Sequence, residues 1–322
     1  MKPFAYATAL TPASARELVA DGGRYIGGGI DLLGELKDYI SEPKVLVNVK
    51  ALPGLSRIEP GEKTWTIGAN VTVAELEDHD GLKQTFRGLH QAAAEVGSRQ
   101  IRNVATVGGN LAQHSRCWYY RHRDVHCLKK GGDTCYARNG ENKYHSLFTG
   151  NPCISPVVSN LAVALAVLDA TVIVQRGDKA QRMTVAEFYA RAWDNPTAHN
   201  SLDRADLILQ VEVPVQQRRS CYLQVSEKAQ FDWALVSCAA AGRVEGDKIS
   251  QARVVLGAIS NVPHQVPAAH KLLEGKVLDE PLADKAAEVI LEQAKARSEN
   301  GYKIPLARAL IRRALMQLKT LP

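Results

Sequence analysis

Residues 24–37 read R-Y-I-G-G-G-I-D-L-L-G-E-L-K. A strand-like run ends at Ile26, three glycines follow, and from about Asp31 the spacing predicts an amphipathic helix. Glycine lets backbone approach a ligand closely, and the unpaired N–H groups that open a helix attract anions. The unit therefore has the parts of a pyrophosphate cradle. It lacks the G-x-G-x-x-G spacing of a standard dinucleotide-binding turn, and a glycine triplet alone also suits an ordinary loop.

Further on, residues 96–111 read V-G-S-R-Q-I-R-N-V-A-T-V-G-G-N-L and place a second glycine pair, Gly108-Gly109, in a short apolar segment. Directly after it come four of the six cysteines, Cys117, Cys127, Cys135 and Cys153, at spacings C-x9-C, C-x7-C and C-x17-C. This segment is basic, aromatic and aperiodic, which predicts a long functional loop. Structural zinc usually uses close C-x2-4-C pairs, which are absent. Disulfides suit small secreted domains short of core. Iron–sulfur clusters hold thiolates further apart with variable spacing, and Arg116, Arg121, Arg123, Lys129 and Lys130 could offset their charge. On spacing, all three chemistries stay open, the cluster ahead. Cys221 and Cys238 lie in strand-like apolar runs and are expected to be small core residues.

The 322-residue chain, 45% hydrophobic with a formal charge of +6, predicts two or three globular domains. No basic stripe interleaved with aromatics appears outside the cysteine segment, so nucleic acid is not an expected partner. No apolar run is long enough to span a membrane. The N-terminal apolar region is too short for a signal peptide, so a cytoplasmic location is expected, the alternative being periplasmic, exported folded with a signal-bearing partner.

Strands are expected at 4–6, ending at Ile26, at 44–49 and 64–69 around the turn Pro60–Lys63, then at 170–175 and 207–213. Helices are expected at about 82–96 and 157–168, with Thr72–Glu75 and Thr184–Glu187 as capping boxes. Past a boundary near Gln216, three antiparallel strands (220–225, 234–244, 248–259) precede helices at 268–274, 282–298 and 305–318.

The glycine loop from Tyr25, the I-R-N-V-A-T-V-G-G-N-L segment and the C-terminal strands resemble the flavin subunit of the molybdenum hydroxylases, over essentially the whole chain. The cysteine insert is similar to that of the flavin subunits of bacterial aldehyde oxidoreductases and 4-hydroxybenzoyl-CoA reductase, which carry a [4Fe–4S] cluster. The resemblance implies an α+β fold. Residues 1–216 would be a two-subdomain α/β FAD-binding fold of the vanillyl-alcohol-oxidase-like (PCMH) type, with the cluster loop at 113–155. Residues 217–322 would be an α+β domain with a three-stranded antiparallel sheet. It also implies FAD contacts at Tyr25, Ile26, Gly27, Gly28, Gly29, Ile30, Asp31, Leu32, Thr106, Gly109, Asn110, Asn160, Ile208 and Lys228. Cluster ligation is implied for Cys117, Cys127, Cys135 and Cys153. Asn160 stands where the family usually has aspartate, and Gln224 where lysine is frequent.

The function so implied is electron transfer. A molybdopterin-binding large subunit would oxidise an aldehyde or N-heterocycle, a [2Fe–2S] small subunit would relay electrons, and FAD here would pass them to an external acceptor. No catalytic base is expected on this chain. Two other expectations stand beside it: a reductive enzyme of the benzoyl-CoA reductase kind, and a zinc-stabilised interaction module whose glycine loops are plain turns.

Overall fold

Strands β1 (Ala5–Thr8), β2 (Gly23–Ile26) and β3 (Val45–Asn48) form a parallel sheet in the order β1-β3-β2. Parallel neighbours need crossover connections, supplied here by helices Pro12–Ala20 and Leu32–Lys37. The first is capped by Thr11, whose hydroxyl accepts from Ser14 N, with Pro12 at the first helical position. The structure is a computed structural model and describes residues 1–229 and 231–321.

A second sheet is antiparallel, in the order β4-β5-β8-β6-β7, from β4 (Ile58–Glu59), β5 (Thr64–Gly68), β6 (Thr171–Arg176), β7 (Lys179–Thr184) and β8 (Leu207–Pro214). The expected pairing across Pro60–Lys63 is thus corrected. That turn joins β4 to β5, whereas β3 is the central strand of the other sheet, already flanked on both edges. The expected helix over 82–96 is two, Asp80–Thr85 and Arg87–Ala94. Phe86 breaks them with non-helical φ −129°, ψ 58°, and its buried ring meets Trp65 edge-on at 5.5 Å.

The third sheet has four strands where three were expected: β9 (Arg219–Val225), β10 (Val236–Glu245), β11 (Lys248–Gly257) and a two-residue edge, β12 (Lys276–Val277), in the order β12-β11-β10-β9. Two residues carry no alternating pattern, which is why sequence periodicity passes over β12. Helices Pro267–Leu273, Glu280–Leu291 and Lys303–Thr320 follow. Cys221 and Cys238 are buried in this unit's apolar core, and Cys221 Sγ lies 3.3 Å from Ala314 O. The helix Asn160–Val167 is apolar on all sides because it is buried in the other large core, which takes residues from the second and third sheets.

The second C-terminal helix stops at Leu291, short of the expected 298. The chain beyond it docks the cysteine segment instead. Glu299 accepts from Asn142 N at 2.7 Å and donates its own N–H to Asn142 Oδ1 at 3.0 Å, while Asn300 donates to the carbonyls of His145 and Ser146, both at 3.2 Å. Lys303, fully buried, donates to Tyr144 O at 2.9 Å and Ala258 O at 2.8 Å. Burial depresses its ammonium from 10.5 to about 7. Between those values the unfolded chain holds a proton that the folded chain has released, so this site makes stability rise with pH from about 7 to 10.5. Lys303→Met is expected to flatten that rise in urea titrations across the window; an unchanged pH slope contradicts the assignment.

Candidate functional site

The glycine loop leaves the C-terminal end of β2 and turns into the helix Leu32–Lys37. Gly29 has φ +75°, which favours glycine. Gly28 is required by packing: a Cβ there would overlap the carbonyl of Val104, and one on Gly27 would come within 3.0 Å of Thr106 Oγ1. The two glycine segments therefore lie backbone against backbone. The second segment is itself pinned. Val107 N donates to Val71 O at 2.9 Å, Gly108 N to Ala69 O at 2.8 Å, and the Thr106 hydroxyl accepts from Gly109 N at 3.1 Å.

Beside these segments opens a cleft of about 260 Å³. Tyr25, Ile26, Gly27, Gly28, Gly29, Ile30, Asp31, Leu32, Thr106, Gly109, Asn110 and Asn160 all line it. Ile208 and Lys228 do not: Ile208 is packed in the core on β8 opposite Val174, and Lys228 is exposed after β9. Sequence reasoning missed Glu95, Gln113, His114, Phe231 and Trp233, which also line the cleft. Phe231 and Trp233 lie in the β9–β10 connection, far along the chain from either glycine segment, and only folding brings them near.

Although Asp31 belongs to the glycine loop, its carboxylate turns to the cysteine segment. It accepts from Arg121 Nη2 at 2.6 Å and His114 N at 2.7 Å, with Arg116 Nη2 at 3.0 Å. The Arg116 guanidinium also lies 4.3 Å over the Trp233 ring. One helical turn on, Glu35 is 1% exposed, with Tyr120 OH and His114 Nδ1 each at 2.8 Å. Burial alone would raise its carboxyl; those two hydrogen bonds and the charges of His114 and Arg121 outweigh it and hold the group down to about 2. Ion pairing thus fastens the floor of the cleft to residues 114–121.

All six cysteines are free thiols. Cys117, Cys127, Cys135 and Cys153 line one small cavity with Tyr119, Lys129 and His145. Cys135 and Cys153 influence each other's titration, their mutual interaction lowering Cys135 and raising Cys153. Cys117 is pushed up to about 11 by burial, and His145 Nε2 stands 3.1 Å from its sulfur. Burial and the charge of Lys303 keep His145 neutral, at about 4. Lys129, nearly buried, donates to Ala198 O at 2.7 Å and lies within electrostatic reach of all four thiols. Trp118 and Tyr119 pack against His145, whereas Tyr120 faces away, to Glu35. Among the described residues, no three His, Cys, Asp or Glu side chains are grouped to hold a single metal ion.

The model of the FAD binding domain in molybdopterin dehydrogenase matches residues 2–216, and that of the CO dehydrogenase flavoprotein C-terminal domain matches residues 221–318. The chain belongs to the flavin subunits of the molybdenum hydroxylase family. It is 31% identical to the aldehyde oxidoreductase FAD-binding subunit PaoB of Escherichia coli (strain K12), over 99% of each chain. Against the carbon monoxide dehydrogenase medium chain of Afipia carboxidovorans identity is 22%, over 94% of this chain and 90% of the other. Reconstituted CO dehydrogenase from Oligotropha carboxidovorans has the same fold, with a TM-score of 0.78 at 22% identity, covering 99% of this chain and 98% of that one. As a molybdenum hydroxylase flavin subunit, this chain is an FAD-binding oxidoreductase subunit. Both glycine segments line the cleft, so such a cofactor would meet their main chain there. Gly28→Ala is expected to push the two glycine segments apart and cost about 1–3 kcal/mol. Bound FAD per chain, read from flavin absorbance after gel filtration, should fall; full occupancy with unchanged stability would contradict the packing argument.

Proposed function

We propose that this chain is the electron-transfer subunit of a molybdenum hydroxylase, holding a [4Fe–4S] cluster on Cys117, Cys127, Cys135 and Cys153 beside its FAD. The observation that carries the reading is the convergence of four unpaired thiols on one cavity. A single zinc ion needs its ligands about 2.3 Å from one point. The preference for a cluster over zinc rests on the sequence, which lacks the close C-x2-4-C pair that structural zinc usually uses, whereas cluster thiolates stand further apart.

When bound, FAD and the cluster supply one- and two-electron chemistry; the chain supplies position, charge and exclusion of water. Lys129 places one cation beside the thiolates, offsetting their negative charge. Tyr119 and Tyr136 wall the cavity, while Ser115 Oγ, 2.5 Å from Ser155 Oγ, ties the two ends of the segment together. Only Ser115 and Arg116 separate Cys117 from the cleft-lining Gln113 and His114, so thiols and cleft share one stretch of chain.

Electrons would arrive from a molybdopterin-binding large subunit through a [2Fe–2S] small subunit and leave to an external acceptor. The Escherichia coli relative is an aldehyde oxidoreductase subunit, which supports an aldehyde as substrate of the complex. Iron and acid-labile sulfide analysis with electron paramagnetic resonance of the reduced, anaerobically purified chain tests the cluster. About four irons are expected. They should be lost on Cys→Ser change at each of the four positions and kept in Cys221→Ser and Cys238→Ser. Zinc in place of iron, or iron unchanged in Cys135→Ser, would sink the assignment.

A further inference from the structure

One edge of the cleft is built from a chain of amides. Asn160, 8% exposed, donates from Nδ2 to Gln224 Oε1 at 2.9 Å. Gln224 Nε2 in turn donates to Glu95 Oε2 at 3.1 Å and Ser226 Oγ at 3.2 Å, while its Oε1 also accepts from Tyr222 OH at 3.0 Å. Both Asn160 and Glu95 line the cleft.

With Glu95 ionised, the direction of this chain is fixed. An ionised carboxylate only accepts, so Gln224 must turn its NH2 to Glu95 and its oxygen to Asn160. Asn160 must then give its NH2 to Gln224, leaving Oδ1 as the atom without a partner among the described residues. The hydroxyls of Tyr222 and Ser226 can donate or accept and would follow either orientation. Glu95 alone sets the sense.

We infer that Glu95, acting through Gln224, is a positioning residue that fixes Asn160 as a hydrogen-bond acceptor for an N–H group of the bound FAD. Fixed polarity matters only toward a group that cannot reverse its own. The ribityl hydroxyls can reverse theirs; the ring N3–H of oxidised flavin and the adenine amine cannot. The shared chemistry is a heteroaromatic N–H, and the two sources are separable by analogue.

The test is a polarity-reversal cycle, read as the FAD dissociation constant of the stripped and refilled full chain, by flavin fluorescence. Asn160→Asp sets two acceptors at the ends of one glutamine and is expected to weaken FAD about tenfold. Adding Glu95→Gln lets Gln224 turn round, donating to the new carboxylate at position 160 and accepting from the new amide at position 95, and should recover most of that loss. Glu95→Gln alone can still offer an oxygen to Gln224 and should lose far less than Asn160→Asp. A role in packing alone predicts additive losses and no recovery, which would overturn the inference. For the ligand atom, wild type should discriminate against either N3-methyl-FAD or flavin hypoxanthine dinucleotide, and Asn160→Leu should lose that discrimination. Equal binding of both analogues and FAD by wild type would also overturn it.

Discussion

The backbone contact between Gly28 and the Val104 carbonyl is the constraint on which the cleft rests. No side chain can intervene there, so the two glycine segments hold one separation, and the cleft beside them is shaped there by main chain. Each segment is then held from behind by a different sheet. The first leaves the end of β2; the second is tied to residues 69–71 after β5. Where the two glycine segments line the cleft, main chain offers groups at fixed positions that rearrange little when a ligand arrives, which favours tight binding of an extended cofactor.

A second constraint is electrostatic. Asp31 and Glu35 rise from the short helix under the cleft, and their partners, Arg116, Arg121, His114 and Tyr120, come from the cysteine segment. Opposite these, Glu299, Asn300 and Lys303 hold the same segment from the C-terminal side. A stretch without helical or strand period is therefore ordered by side-chain and carbonyl contacts at both flanks, in addition to whatever its thiols bind.

Much of this was legible in the sequence because it is local. Glycines at 27–29 and 108–109, the Thr72 and Thr184 capping boxes, and four cysteines in one aperiodic run each announce themselves within a few residues. What was not legible is long-range. Nothing near Phe231 or Trp233 signals that they reach a cleft built mainly from residues 24–116, and nothing near Asn160 and Gln224 shows that they hydrogen-bond each other. Taken singly, those two amides read as lost charges; in the structure they satisfy each other, so neither position leaves a bare ion. The expected helix through Phe86 failed for a related reason: a buried aromatic contact overrode the helical period.

The Asp31 pairing also bears on how such chains can be cut and recombined. Excising residues 115–155 would take Arg116 and Arg121 from Asp31 and Tyr120 from the buried Glu35, leaving His114 as the hydrogen-bond partner of both carboxylates. Removing a partner from a buried carboxylate costs about 3–5 kcal/mol. The cysteine segment is therefore not a cassette that can be grafted or removed alone; a working transplant must carry positions 31 and 35 with it.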